Sequence, residues 1–282
     1  MKKGLIMEGG AMRGMFTCGV TDVFMEHGIE FDGAIGVSAG AVFGCNLKSR
    51  QIGRAIRYNK KYCGDKRYAS FRSLIKTGDL YNRDFCYNEL PNKLDVFDTK
   101  AFQENPMEFY VVATDVETGK PVYHKCDKGD ETDVSWMGAS ASLPLFARVV
   151  EIDGYKLLDG GPADSIPIKY FESIGYDRNV VILTQPKGYI KKKAGYMPIA
   201  KMLLKKYPKL IETMSNRYLV YNEVTAYIEE KEKSGEVFAI RPPEGLNIGK
   251  REKNPEELER VYQIGRKVAE EQIGAVSKFL NK

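Results

Sequence analysis

The chain opens on a short apolar run, Leu5-Ile6-Met7, that stops at a cluster of glycines, the pattern of a buried strand. A helix is predicted over Met15–His27, with Phe16, Val20, Val23 and Phe24 on one face and Gly28 marking its end. Asp32–Val37 returns as a second strand, and Ala39–Leu47 opens a second helix. This strand–loop–helix–strand order predicts a parallel pair with a right-handed crossover, and sheets of that kind hold ligands beyond the carboxyl ends of their strands. The stretch 50–106 is mixed and has no clear period. Glu108–Val116 is the clearest strand, Glu117–Lys120 a turn, and Pro121–His124 its antiparallel partner. A helix over Ser135–Leu143 is expected to stop at Pro144, and strands follow at Tyr155–Leu158 and Asn179–Leu183.

Beyond Pro186 the pattern changes. Residues 187–209 carry eight lysines among Tyr, Met, Ile and Leu. One long helix is expected over 210–233 and a late strand over Glu236–Ile240. The last helix has explicit start signals, with Asn254 as N-cap, Pro255 at the first helical position and Glu256 and Glu257 in the first turn. Leu258, Val261, Tyr262, Val268, Val276 and Phe279 form its apolar stripe.

Composition narrows the classes of function. The 282 residues are 43% hydrophobic and 29% charged, an ordinary globular balance with room for one large α/β domain. The net charge of +5 is compatible with an anionic surface or substrate without demonstrating one. No Arg/Lys stripe interleaved with aromatics is present, which argues against nucleic acid as a partner. Cys18, Cys45, Cys63, Cys86 and Cys126 are odd in number and widely spread, no C-x-x-C occurs, and only His27 and His124 could add imidazole ligands. Neither a structural zinc site nor a disulfide framework is expected. Met1-Lys2-Lys3 is followed by too short an apolar run for a signal-peptide core, and no apolar run is long enough to span a membrane. The expectation is a cytoplasmic protein, in solution or peripheral to a membrane.

Three motifs carry candidate chemistry. Gly36-Val37-Ser38-Ala39-Gly40 is a G-x-S-x-G between a predicted strand and a predicted helix, the setting of a nucleophile elbow, where a sharp turn demands small neighbours. The plainer alternative is a tight turn whose Ser38 caps the helix. Glu8-Gly9-Gly10-Ala11-Met12-Arg13-Gly14 joins the first strand to the first helix. Its N–H groups could face a developing oxyanion, or the loop could be a simple anion-binding turn, with Arg13 orienting it or binding a phosphate. It is neither a P-loop nor a G-x-G-x-x-G. Asp159-Gly160-Gly161 presents a carboxylate at a strand end, although most Asp-Gly pairs are turns. Neither histidine lies in a glycine-rich loop. His27 ends a helix and His124, beside Lys125, is expected on the surface, so the base for Ser38 is expected to be a carboxylate.

The ordered set resembles the patatin-like phospholipases, especially their bacterial members. Ala139-Ser140-Ala141-Ser142-Leu143-Pro144 adds to the likeness, as do Ala113-Thr114-Asp115 and Gly119, and the match covers roughly residues 3–185. The resemblance implies a three-layer α/β/α fold with a central, mostly parallel sheet and a helical C-terminal extension. It divides the chain into a catalytic core at 1–186 and a lysine-rich, helical extension at 187–282. It further implies a Ser38–Asp159 dyad and an oxyanion hole from the N–H groups of Gly9, Gly10 and Ala11. Arg13, Gly14, Gly36, Gly40, Gly160 and Gly161 support these loops. Neither cofactor nor metal is needed. The family's third loop glycine is Ala11 here, which costs about 1–2 kcal/mol if that position requires φ > 0, and its usual aspartate before the glycines is Glu8. The implied substrate is a lipid or small ester; by their own residues 187–209 form either a segment that meets an anionic membrane or a solvated, lysine-rich surface loop and helix. A lipid-binding or regulatory member without catalysis is the alternative.

Overall fold

The computed structural model describes residues 1–282. Strand β1 (Lys2–Met7) leads through a 3₁₀ turn at Ala11–Arg13 into α1 (Gly14–Glu26), and β2 (Gly33–Val37) leads through Ser38 into α2 (Ala39–Lys48). The sequence-mixed stretch then supplies α3 (Arg54–Tyr62), α4 (Phe71–Thr77), a wide π-helix at Phe85–Leu94 that contains Pro91, and α5 (Thr99–Glu104). Next come β3 (Glu108–Asp115), β4 (Pro121–Lys125), α6 (Glu131–Ser140), β5 (Val150–Ile152) and β6 (Tyr155–Asp159). The chain continues with α7 (Ile168–Ser173), β7 (Tyr176–Ile182), α8 (Met197–Leu203), α9 (Pro208–Lys233), β8 (Val237–Ile240) and α10 (Pro255–Leu280).

The sheet runs β5-β6-β3-β2-β1-β7-β8, with β4 also paired to β3. The five strands β3, β2, β1, β7 and β8 are parallel, and β4, β5 and β6 are antiparallel additions at one side. Both faces are covered, so the strands read as continuous apolar runs and the alternation shows only in which core each residue joins. Leu5, Met7, Ala34, Val111 and Val180 face α1, α2 and α10, whereas Ile6, Ile35, Val37, Val112 and Val181 face α7 and α9. The result is a mixed α/β architecture of three layers.

Two expectations change here. Helix α1 is buried from Gly14 to Phe24 rather than on one face, because α10 covers its back. Gly19 and Gly265 make that contact, since a Cβ on either would fall 2.2 or 2.1 Å from a carbonyl oxygen of the other helix. Helix α6 begins and ends earlier than expected. Asp130 starts it by accepting from the N–H groups of Thr132 (3.0 Å) and Asp133 (3.1 Å), and residues 141–144 leave the helix to cross the sheet edge. The segment after 186 is woven into the same sheet through β8, which pairs in parallel with β7.

Candidate active site

Parallel strands β1 and β2 end side by side, Met7 opposite Gly36, so the two glycine motifs emerge at one edge. Ser38 occupies the turn between β2 and α2 with φ 55° and ψ −117°, a conformation that costs an L-residue about 1–3 kcal/mol. Its hydroxyl makes no cap on α2, against the plainer reading of the motif. Instead Ser38 Oγ donates to Asp159 Oδ2 at 2.6 Å. The small neighbours are required by close approach. A Cβ on Gly36 would lie 2.2 Å from the Gly40 oxygen, and one on Gly40 2.3 Å from the Met7 oxygen. Gly14 is held in the same way against Ala39 and Phe43, and Gly9 against Val37 and Ser38.

Asp159 ends β6, which runs back antiparallel along β3 from that edge and stops opposite Ala113, one position from the Val112–Val37 pair and so beside Ser38. Its Oδ1 accepts from the Gly161 N–H (2.8 Å), and its carbonyl accepts from Thr114 Oγ1 (2.7 Å). Gly160 lies against the Val112 carbonyl, and Gly161 lies against Arg217. Burial raises the Asp159 pKa, while the Ser38 hydroxyl, the Arg217 charge and the Gly161 N–H pull the other way. The 139–144 stretch fastens both motifs together. Ser140 Oγ accepts from the Ser38 N–H (2.9 Å), the Ser140 carbonyl accepts from Gly160 N–H (3.2 Å), and the Ser142 carbonyl from Asp159 N–H (2.8 Å).

The loop after β1 sits beside the elbow. The N–H groups of Gly9 and Gly10 donate to no group within the protein. Ala11 has φ 49°, so the left-handed conformations of the two motifs fall on Ala11 and Ser38 and on none of their glycines. Glu8 is buried and ties the loop down, its carboxylate accepting from Thr184 N–H (2.6 Å) and from Tyr221 OH (2.8 Å) on α9. Arg13 opens α1 and reaches Thr184 Oγ1 at 3.4 Å.

Two hollows meet at this point, and Ser38, Ala11 and Leu143 line both. The first is apolar, about 110 Å³, walled by Val42, Phe43, Tyr58, Leu90, Phe97 and Met137 among others. The second is larger, about 270 Å³, and polar. Its wall includes Asp159 and five basic side chains, Arg13, Lys191, Lys192, Arg217 and Lys250. Sequence reasoning identified Arg13 and the 139–144 stretch, but missed Arg217, Lys250 and the link that Ser140 makes to Ser38. Lys191 was expected among surface lysines. It is half-buried, its ammonium 4.1 Å from the centre of the Tyr221 ring, and lost hydration followed by repulsion from Arg217 lowers its pKa to about 8.

The histidines lie elsewhere. His27 is exposed and pairs with Glu270 at 2.9 Å. His124 keeps a partly exposed side chain at the surface. It lies within β4, stacked on Trp136 at 4.2 Å and 3.3 Å from Asp133. His124, Cys126 and Asp133 hold donor atoms within 4.8 Å of one another, but Asp133 Oδ2 is already accepting from Lys128 and Gly129 N–H, closing the turn before α6. None of the three lines either hollow beside Ser38.

Fold and site together define an α/β protein whose strand–turn–helix serine is held by an aspartate. A family model for the patatin-like phospholipases matches residues 5–172, more than half of the chain, and the chain belongs to that family. At family level this makes it a lipid hydrolase. Residues 207–281 match a second model, a domain of unknown function, DUF6363. The chain is 28% identical to the uncharacterized protein YjjU of Escherichia coli (strain K12), across 99% of this chain and 79% of that protein. It is 24% identical to the lysophospholipase nte1 of Aspergillus terreus, across 96% of this chain but only 18% of the fungal protein. Among solved structures, VipD from Legionella pneumophila aligns over 99% of this chain and 67% of that one, with a TM-score of 0.46 and 13% identity. No helix is long and apolar enough to cross a membrane.

Proposed function

We propose that the chain hydrolyses acyl esters of lipids, as a phospholipase A or lysophospholipase would, with Ser38 as nucleophile and Asp159 as its base. The observation that carries this reading is the 2.6 Å hydrogen bond from Ser38 Oγ to Asp159 Oδ2. Asp159 takes the hydroxyl proton as Ser38 Oγ bonds to the ester carbonyl carbon. The carbonyl oxygen becomes an oxyanion, facing the Gly9 and Gly10 N–H groups that have no partner in the protein. The positive end of α2 adds to that field. The carbon–oxygen bond to the alcohol then breaks, and the alcohol leaves with the proton from Asp159. Water, deprotonated by Asp159, clears the acyl-enzyme and releases the acid. An ordinary aspartate is a weak base, so the upward shift imposed by burial favours this role. An alkoxide is a better leaving group than an amine anion, which favours esters over amides.

In this reading the apolar hollow takes the acyl chain. Residues 1–186 form the catalytic core and 187–282 an extension packed on it. Within 187–209, α8 buries Met197 and Ala200 and leaves Ile199, Met202 and Leu203 exposed beside Lys201, Lys205 and Lys206, an arrangement suited to the surface of an anionic membrane. The test is labelling with a fluorophosphonate, with the modified peptide located by mass spectrometry, followed by a panel of lipid esters. Labelling at Ser38 that disappears in Ser38→Ala, together with ester turnover, is the expected result. A folded protein that neither labels nor turns over any ester would return the chain to the lipid-binding, non-catalytic alternative.

A further inference from the structure

The family model ends at residue 172, yet the second hollow beside Ser38 is walled largely by later residues, from the lysine-rich loop, α9 and the loop before α10. Lys191, Lys192, Arg217 and Lys250 come from that segment and join Arg13. None of the five forms an ion pair with a carboxylate, although many of the other basic side chains do. Arg217 is fixed by a hydrogen bond to Ser165 Oγ at 3.2 Å, and the Lys191 backbone is pinned at both N–H and C=O by Asn222 of α9. Gathering like charges in a half-buried hollow is unfavourable unless an anion completes it. Two acids lie close by. Glu8 is engaged with Thr184 and Tyr221, and Asp159 with Ser38 and Gly161.

We infer that Lys191, Arg217 and Lys250, with Arg13, form a subsite for an anionic head group on the alcohol side of the scissile ester, most simply a phosphate. The inference rests on the hydrolase reading for its orientation: acyl chain in the apolar hollow, ester at Ser38, anion in the basic one. It assigns to the C-terminal extension the selection of the substrate class, acyl esters with an anionic rather than a neutral alcohol. The chemistry needed is a doubly accepting oxyanion, which guanidinium and ammonium groups bind by charge-assisted hydrogen bonds.

The experiment compares two esters of one acyl chain, lysophosphatidic acid and monoacylglycerol, in wild type, Lys191→Met/Lys250→Met and a surface control, Lys267→Met/Lys278→Met. Wild type is expected to favour the phosphate ester. The ratio of kcat/KM should fall by at least about tenfold in the subsite variant, mainly through KM, and stay unchanged in the control. Equal ratios in all three proteins, or a wild type that prefers the neutral ester, would overturn the subsite and leave the hydrolase reading standing. Calorimetric titration of Ser38→Ala with the same two lipids removes the dependence on turnover. Selective binding of the phosphate lipid there supports the subsite even if the wild type hydrolyses neither. Tight binding of inorganic phosphate alone, with no preference between the lipids, would overturn a head-group site in favour of a free-anion site. Should the double variant fail to fold, Lys250→Met alone, on the exposed loop, carries the same comparison.

Discussion

The apolar hollow and the basic hollow share Ser38 and differ in almost everything else. The apolar one is built from residues between Ala11 and Leu143, within the segment that matches the family, and its walls are packed aromatic and aliphatic side chains. The basic one draws most of its charge from residues 191–250, on loops and one exposed face of α9. Burying apolar surface is non-directional and tolerant of substitution. Placing cations around a cavity is neither, because each must be held against the repulsion of the rest. The difference teaches that chemistry and chain binding can be carried by one half of a fold while selectivity is supplied by the other.

The strongest way to break that picture is at the shared residue. Ser38→Ala and Asp159→Asn are each expected to lower kcat by roughly 10⁴-fold or more with the fold intact, checked by steady-state kinetics and circular dichroism. An Asp159→Asn protein with most of its rate would remove the dyad from which both hollows take their meaning. A cut on one side comes next. Val42→Phe narrows the apolar hollow and should depress kcat/KM for long acyl chains by about 10–100-fold, moving the chain-length optimum toward shorter esters, read from a series of p-nitrophenyl esters. A third test uses pH. Lys191 loses its charge as pH rises through about 8. The charged groups around it are Arg217, Arg13 and Lys250, with Glu8 accepting from the Tyr221 hydroxyl. The preference for a phosphate ester should therefore decline by up to about tenfold between neutral and alkaline pH, while the chain-length preference measured in parallel holds. The smallest effect is expected at Ala11, whose methyl lies where the hollows join. Ala11→Gly relieves a left-handed φ of 49° and should raise stability in urea by roughly 0.5–1 kcal/mol.

The candidate site at the strand ends was legible in the sequence because its parts are local. A sharp turn needs Gly36 and Gly40 within a few residues of Ser38, and strand order alone brings β1 and β2 together. Asp159 was reachable for the same reason, as an acid at the end of a short apolar run. The basic hollow was illegible because Lys191, Arg217 and Lys250 lie far apart in the chain, and each resembles a solvated surface residue. What unites them is the docking of α9 on the sheet, through Tyr221, Val224 and Ile228 and the buried Tyr221–Glu8 contact. The early start of α6 had a readable signal, the Asp130 cap, whereas the four helices of 50–106 had little, being short and interrupted by a wide turn at Pro91. The sign of φ at Ala11 depended on packing that no local pattern reports.

The glycine contact between α1 and α10 has a consequence for the order of synthesis. Helix α1 carries the glycine loop at its head, and its back is covered only when Gly265 settles against the Phe16 backbone and Tyr262 against Asp22, a pairing sealed by a 2.7 Å hydrogen bond. On the ribosome, everything between α1 and α10 must emerge before that groove closes. Until then Gly19, Asp22 and their neighbours on that back face water. The nascent chain thus carries an uncovered stripe on α1 while the sheet between the two helices is made. The glycine loop at the head of α1 in this way rests on a helix made long after it.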